Sequence, residues 1–271
     1  MLTKLREFTY KHAIPSAIVI ALLFYGLMQG VGAIFSLLPS NLAVRYIYEI
    51  VGVLYPIGIV ILFGFSWAFR SKKFFKGLLC GMALLVTQIM TLLGQISDAV
   101  TTAGAWKPWY LILLGLISVL AIGIREECVF RATIQNIVAQ KYAHSTKGIW
   151  LTAIVSALIF GLIHAFNIFS GVEVVGALFQ ATTNIGIGLF FTAVYLRSGS
   201  LWAVVAIHTL TDLAGLFLSI FKYKSELELM SSISWQSLIF GIVFIGISAF
   251  LLRPSKCKEI IERFKATANQ A

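Results

Sequence analysis

Three short patterns set ionisable side chains inside otherwise apolar sequence. They are Arg125-Glu126-Glu127-Cys128-Val129-Phe130-Arg131, Phe160-Gly161-Leu162-Ile163-His164 and His208-Thr209-Leu210-Thr211-Asp212. A charge at mid-bilayer costs at least ~2.5–3.5 kcal/mol on insertion scales, so such residues turn toward a polar interior and mark function. Helical geometry separates the two glutamates, because residues four apart share a face while neighbours sit about 100° apart. Glu127 and Arg131 stack for an ion pair that offsets the burial of both. Glu126 points elsewhere, unpaired by its own helix, and a buried carboxylate without a cationic partner suits a general base near neutral pH. His208 and Asp212 are also four apart, so imidazole and carboxylate present together.

The elements that must position these groups are read from composition. Hydrophobic residues make up 59% of the 271 positions and charged residues 12%, about half the soluble norm of ~25%. A water-soluble domain could not hide that much apolar surface, so the expectation is an all-α polytopic membrane protein forming one domain over 1–271. Eight apolar stretches approach the ~20 residues a crossing needs: 14–38, 47–69, 75–95, 109–134, 149–168, 174–196, 200–221 and 233–252. The first is too long for a signal peptide's apolar region and reads as a retained anchor. The buried polar site falls among the fourth, fifth and seventh.

With the N-terminus inside, 15 Lys and Arg fall on the cytoplasmic side: Lys4, Arg6, Lys11, Arg70, Lys72, Lys73, Lys76, Lys141, Lys147, Arg197, Arg253, Lys256, Lys258, Arg263 and Lys265. Only 4, Arg45, Lys107, Lys222 and Lys224, fall outside. This asymmetry places both termini in the cytoplasm, with the plasma membrane as the expected location. The net charge of +10 reflects cytoplasmic loops on anionic lipid rather than a nucleic-acid surface. The tail 253–271 reads as a basic amphipathic segment or a stop-transfer anchor.

Depth is a further constraint. Glu126 lies 19 residues before the turn at Ser145 and His164 19 after it, so the two come out level. His208 is only 9 residues from the turn near Gly199, which sets it ~15 Å shallower relative to its own turn. The site closes only if the fourth–fifth hairpin projects further than the sixth–seventh.

In this order and on these spans, the patterns Glu126-Glu127-x-x-x-Arg131, Phe160-x-x-x-His164 and His208-x-x-x-Asp212 resemble the CPBP family, also called Abi. That family includes the type II CAAX prenyl endopeptidases and bacteriocin-associated membrane proteins. The resemblance covers roughly 105–220. It implies a glutamate-dependent peptidase in which Glu126 activates water and His164 helps to hold it. His208 and the residue four later would stabilise the oxyanion, and Glu127 and Arg131 would support the site. One position departs: where prenyl-processing members carry Asn as an oxyanion donor, this chain has Asp212. Ionised, Asp212 cannot donate a hydrogen bond; it would orient His208, keep it protonated or ligate a metal.

Taken singly, the bland readings win: Phe160 as packing, a lone intramembrane His as interhelical glue, Glu49 as a packing or interfacial residue with no obvious partner. Gly186 and Gly188 on the polar run Gln180, Thr182, Thr183 and Asn184 read as a close helix contact before a substrate groove. Jointly they do not explain why the deeply placed ionisable groups fall on three helices at matching spacings. The expected function is an intramembrane endopeptidase acting on a membrane-associated peptide or protein, lipidated or a leader, at a cavity open to the cytoplasm. The alternative is a non-catalytic bacteriocin self-immunity factor or membrane scaffold; a proton-coupled transporter ranks below it, since internal repeats are not evident. No cofactor is expected. Zinc ranks second, with His164, His208 and Asp212 (or Glu126) as acceptable ligands but no His-Glu-x-x-His. The scattered Cys80, Cys128 and Cys257 have neither metal nor disulfide spacing.

Overall fold

The computed structural model describes residues 2–39, 41–70, 73–101 and 104–268, with side chains through 264. Lys72 and the side chain of Lys265, counted in the charge asymmetry, lie outside the described residues. The regular elements are helical throughout the described chain: α1 (Leu2–Lys11), α2 (Ala13–Phe35), α3 (Leu42–Val51), α4 (Leu54–Leu62), α5 (Phe74–Cys80), α6 (Met82–Thr101), α7 (Trp109–Glu127), α8 (Asn136–Tyr142), α9 (Thr146–Ile163), α10 (Val174–Ser198), α11 (Leu201–Phe221), α12 (Glu226–Ser231), α13 (Trp235–Leu251) and α14 (Pro254–Ala268). A π-helical segment, Cys128–Gln135, joins α7 to α8, and a 3₁₀ segment, His164–Ser170, extends α9.

Large apolar side chains such as Leu54 (71% exposed), Val100 (70%) and Ile242 (62%) point outward, which only a hydrocarbon surround makes stable. Six helical stretches are long and apolar enough to cross a membrane, and a seventh arises if Trp235–Leu251 and Pro254–Phe264, bent by 71°, count as one span. The sequence reading expects eight. The difference is at Trp109–Glu127, whose helix closes on three consecutive charged residues, Arg125, Glu126 and Glu127, and so is not an apolar rod. The chain is an all-α, multi-pass membrane protein.

Serines set where the hairpins turn. Ser145 caps α9 by accepting from Gly148 N, and Ser200 caps α11 by accepting from Ala203 N, just after Gly199 adopts φ +72°. The α8–α9 turn packs against α1 and α14, and α14 also reaches the α10–α11 turn, where Arg263 lies beside Gly199.

The two ends of the bundle differ. At one end Arg6 donates to Leu62 O, Tyr10 to Phe63 O, Trp202 to Phe69 O, and Glu259 of α14 pairs with both Lys76 and Arg197. At the other, Lys107 N donates to Phe221 O, Arg45 pairs with Glu226 at 2.9 Å, and Glu173 N donates to Ser231 Oγ. Both termini belong to the first end.

Candidate active site

Two close approaches bring the ionisable groups together. A Cβ on Gly123 would lie 2.5 Å from Thr209 Oγ1, so α7 and α11 touch at a separation that requires glycine. Glu126 and Glu127 follow one turn further along α7, and His208 precedes Thr209. A Cβ on Gly188 would lie 2.6 Å from Phe160 Cδ1, so the absence of a side chain there admits the Phe160 ring between α9 and α10. Gly186 sits against the backbone of Gly241, a close helix contact of the kind its sequence suggests.

Glu127 is fully buried and carries two partners. Its Oε1 lies 3.0 Å from Arg131 Nη1 and 2.7 Å from His208 Nδ1. A carboxylate only accepts here, so His208 Nδ1 carries the proton and its tautomer is fixed by Glu127. The Arg131 guanidinium lies over the Phe160 ring at 4.2 Å and the Phe191 ring at 5.2 Å. The same two rings flank His208, Phe191 stacked at 4.9 Å and Phe160 edge-on at 5.9 Å. Phe160 therefore packs as expected and also walls the imidazole.

The other face of His208 looks into a cavity of about 570 Å³. Its Nε2 lies 3.5 Å from Asp212 Oδ2 and 3.8 Å from Glu126 Oε2. Both carboxylate oxygens are buried and have no hydrogen-bond partner in the protein. Buried polar atoms without partners are uncommon and call for an explanation; here they converge on one small volume. His164 lines the same cavity, and its Nδ1 donates to Phe160 O at 2.7 Å, since a carbonyl can only accept. That leaves its Nε2 as a lone-pair acceptor. Glu126, His164, His208 and Asp212 thus share one cavity, with Glu127, Arg131 and Phe160 behind them. Among the described residues no group of three or more His, Cys, Asp or Glu side chains is arranged to hold a metal ion.

Two residues that sequence reasoning set aside belong to the cavity wall. Glu49 forms an ion pair with Arg125, whose side chain is buried, and both line the cavity beside Glu126. Glu49 therefore packs between helices, as its sequence reading expects, on a partner that reading did not find. Seventy-six positions separate the pair, so no local spacing announces it. Gln180 and Asn184 also line the cavity, and Gln180 accepts from Asn167 and donates to Met230 O.

At the end away from the termini the cavity is lined by the exposed Arg45 and by α12, where Leu227 is exposed, and this end is its mouth. Burial holds the Glu226 carboxyl above its ordinary range, with the Arg45 guanidinium opposing the shift. On the opposite side residues 127–139 are buried without a break, closing the route toward the termini. The expected cytoplasmic termini and the expected cytoplasm-facing cavity are thus incompatible, because mouth and termini lie at opposite ends.

Residues 108–214 match the family model described as type II CAAX prenyl endopeptidase, Rce1-like. The matched stretch contains all three motifs and ends just after Asp212. No match was found among curated proteins or solved structures.

Proposed function

We propose that this chain, Rce1-like over residues 108–214, is an intramembrane endopeptidase in which Glu126 activates the hydrolytic water. The family match supports an intramembrane endopeptidase of the CAAX type; the glutamate mechanism is the finer reading. One observation carries it: Glu126 Oε2 is buried against the cavity without a protein partner, whereas the neighbouring Glu127 is held through its Oε1 by both Arg131 and His208 and does not line the cavity. Two adjacent carboxylates in unlike environments take unlike roles.

Glu126, as carboxylate, accepts a proton from a water molecule that also donates to the lone pair on His164 Nε2. The hydroxide adds to the scissile carbonyl carbon and its π electrons pass to oxygen. Protonated His208, its Nδ1–H held by Glu127, donates Nε2–H to that oxyanion, a preorganised contact worth several kcal/mol. Collapse expels the amine, which takes the proton from Glu126 and restores the carboxylate. Asp212, beside His208 Nε2, favours the imidazolium on which this step depends.

The test compares wild type and Glu126→Gln in detergent against a panel of short lipidated and leader-type peptides, with and without a strong zinc chelator. Cleavage by wild type, lost in the variant and indifferent to chelator, is the expected result. Loss in chelator, restored by zinc, would move both histidines and Asp212 into a metal shell. A folded Glu126→Gln protein that retains full biological activity in cells would replace hydrolysis with binding, as in a self-immunity factor or scaffold.

A further inference from the structure

We propose that the site opens to the extracytoplasmic side, so that its substrates are peptides already carried across the membrane rather than cytoplasmic protein tails. The substrate class rests on the peptidase reading; the direction of the opening does not. It follows from two facts about the same molecule, the distribution of its basic residues and the end at which its cavity opens.

The end that gathers both termini holds 13 of the Lys and Arg among the described residues, and the end with the mouth holds 4, Arg45, Lys107, Lys222 and Lys224. Contacts at the two ends fix several of these residues independently of any assumed span boundary. Lys76 and Arg197 meet on Glu259, while Arg45 pairs with Glu226 and Lys222 reaches Gly104 O. A bias of this size sets membrane orientation, basic end inward. Exposed Trp106, Trp109, Tyr223 and Trp235 cluster at the mouth end, at the level where amphipathic rings mark a membrane boundary.

From the mouth, the cavity descends between α2, α3, α10 and α11 to Glu126, His164 and His208. Beneath them the rings of Phe130, Phe160 and Phe191 and the unbroken buried run 127–139 separate the catalytic groups from the basic end. A cytoplasmic peptide would have to pass that packed layer. An extracytoplasmic one meets, among the described residues, α12, a six-residue helix that borders the mouth and rests on Arg45, Gln180 and the Gly176 turn.

The experiment is cysteine labelling of the full chain in cells. The parent carries Cys80→Ser, leaving only the buried Cys128 and Cys257 as a blank. Single reporters are Lys224→Cys at the mouth end, Gln29→Cys on the cavity wall and Lys258→Cys at the end of the termini, all exposed positions. A membrane-impermeant maleimide is added to intact cells and to permeabilised cells. Lys224→Cys and Gln29→Cys should label fully in intact cells, and Lys258→Cys at least tenfold more after permeabilisation. Lys258→Cys labelling in intact cells, with the other two protected, would overturn the proposal and place the mouth in the cytoplasm. Labelling needs no turnover, so this outcome is separate from any failure of Glu126 to act as a catalytic base.

Discussion

The imidazole of His208 is anchored from behind by Glu127, 2.7 Å from its Nδ1, so that its Nε2 faces Glu126 and Asp212 across the cavity. Glu127 accepts from His208 with the same oxygen that pairs with Arg131, and both Glu127 and Arg131 are fully buried. The two adjacent glutamates therefore divide the work: one carboxylate is consumed by structure, and the other is left for chemistry.

That division predicts opposite phenotypes. Glu127→Gln removes the anion from a buried pair and leaves Arg131 uncompensated, which costs about 3–5 kcal/mol. Glu126→Gln removes no hydrogen bond within the protein, only the 3.8 Å approach to His208, so its cost should be well below that of Glu127→Gln. Peptide hydrolysis should nevertheless fall by about 10²–10⁴-fold in Glu126→Gln, the usual worth of a general base. Thermal unfolding in detergent beside peptide cleavage reads both. A Glu126→Gln protein that unfolds as early as Glu127→Gln would show that Glu126 is structural.

Phe160 walls His208 and His164 and carries the Arg131 guanidinium on its face. Phe160→Ala should cost about 3–5 kcal/mol, as a buried aromatic truncation does. Phe160→Leu keeps most of the volume but loses the ring face under Arg131. It should retain the fold while lowering activity, because both imidazoles lose a wall. Equal activity in Phe160→Leu and wild type would reduce Phe160 to filler.

The chemistry-bearing positions were legible in the sequence because helical spacing is short-range information. Glu127 and Arg131 stack, and Asp212 reaches the face of His208, for reasons contained in four residues. Counting residues to Ser145 and Gly199 set a depth condition on the α8–α9 hairpin but could not say how it is met. What spacing could not carry is contact across helices. Glu127 on His208 and Glu49 on Arg125 bridge 81 and 76 positions, and the π-helical segment after Glu127 has no pattern that announces it. The end of the bundle that the cavity approaches was not legible for the same reason, since hydropathy ranks spans but does not say between which of their ends a gap is left.

Glu259 on α14, half exposed at the end of the bundle that gathers the termini, pairs with Lys76 and Arg197, whose hydrogen bonds hold its carboxyl down at about 2. A depressed folded pKa stabilises above the unfolded value, 4.5, and that contribution is lost as pH falls toward about 2. With Glu259 half exposed, solvent screening keeps the effect small and local. Hydrogen exchange in α14 should rise between pH 4.5 and 2 in wild type. In Glu259→Gln the exchange should already be raised at neutral pH and show no such step. A step of equal size in both proteins would remove Glu259 from the account.

The Glu49–Arg125 pair gives the last test, because two charges facing each other in a cavity are stabilising only together. Arg125 is the more deeply buried partner, with a side chain 9% exposed against 20% for Glu49. Removing Glu49 therefore strands a buried cation, whereas removing Arg125 leaves a carboxylate that the cavity can partly hydrate. Glu49→Gln should lose toward the low end of ~3–5 kcal/mol, and Arg125→Met less. The double variant replaces the pair without stranding either charge and should recover most of the stability lost in Glu49→Gln. Additive losses in the double variant, measured by detergent unfolding, would mean that the two side chains act independently and that the pair does not hold α3 to α7.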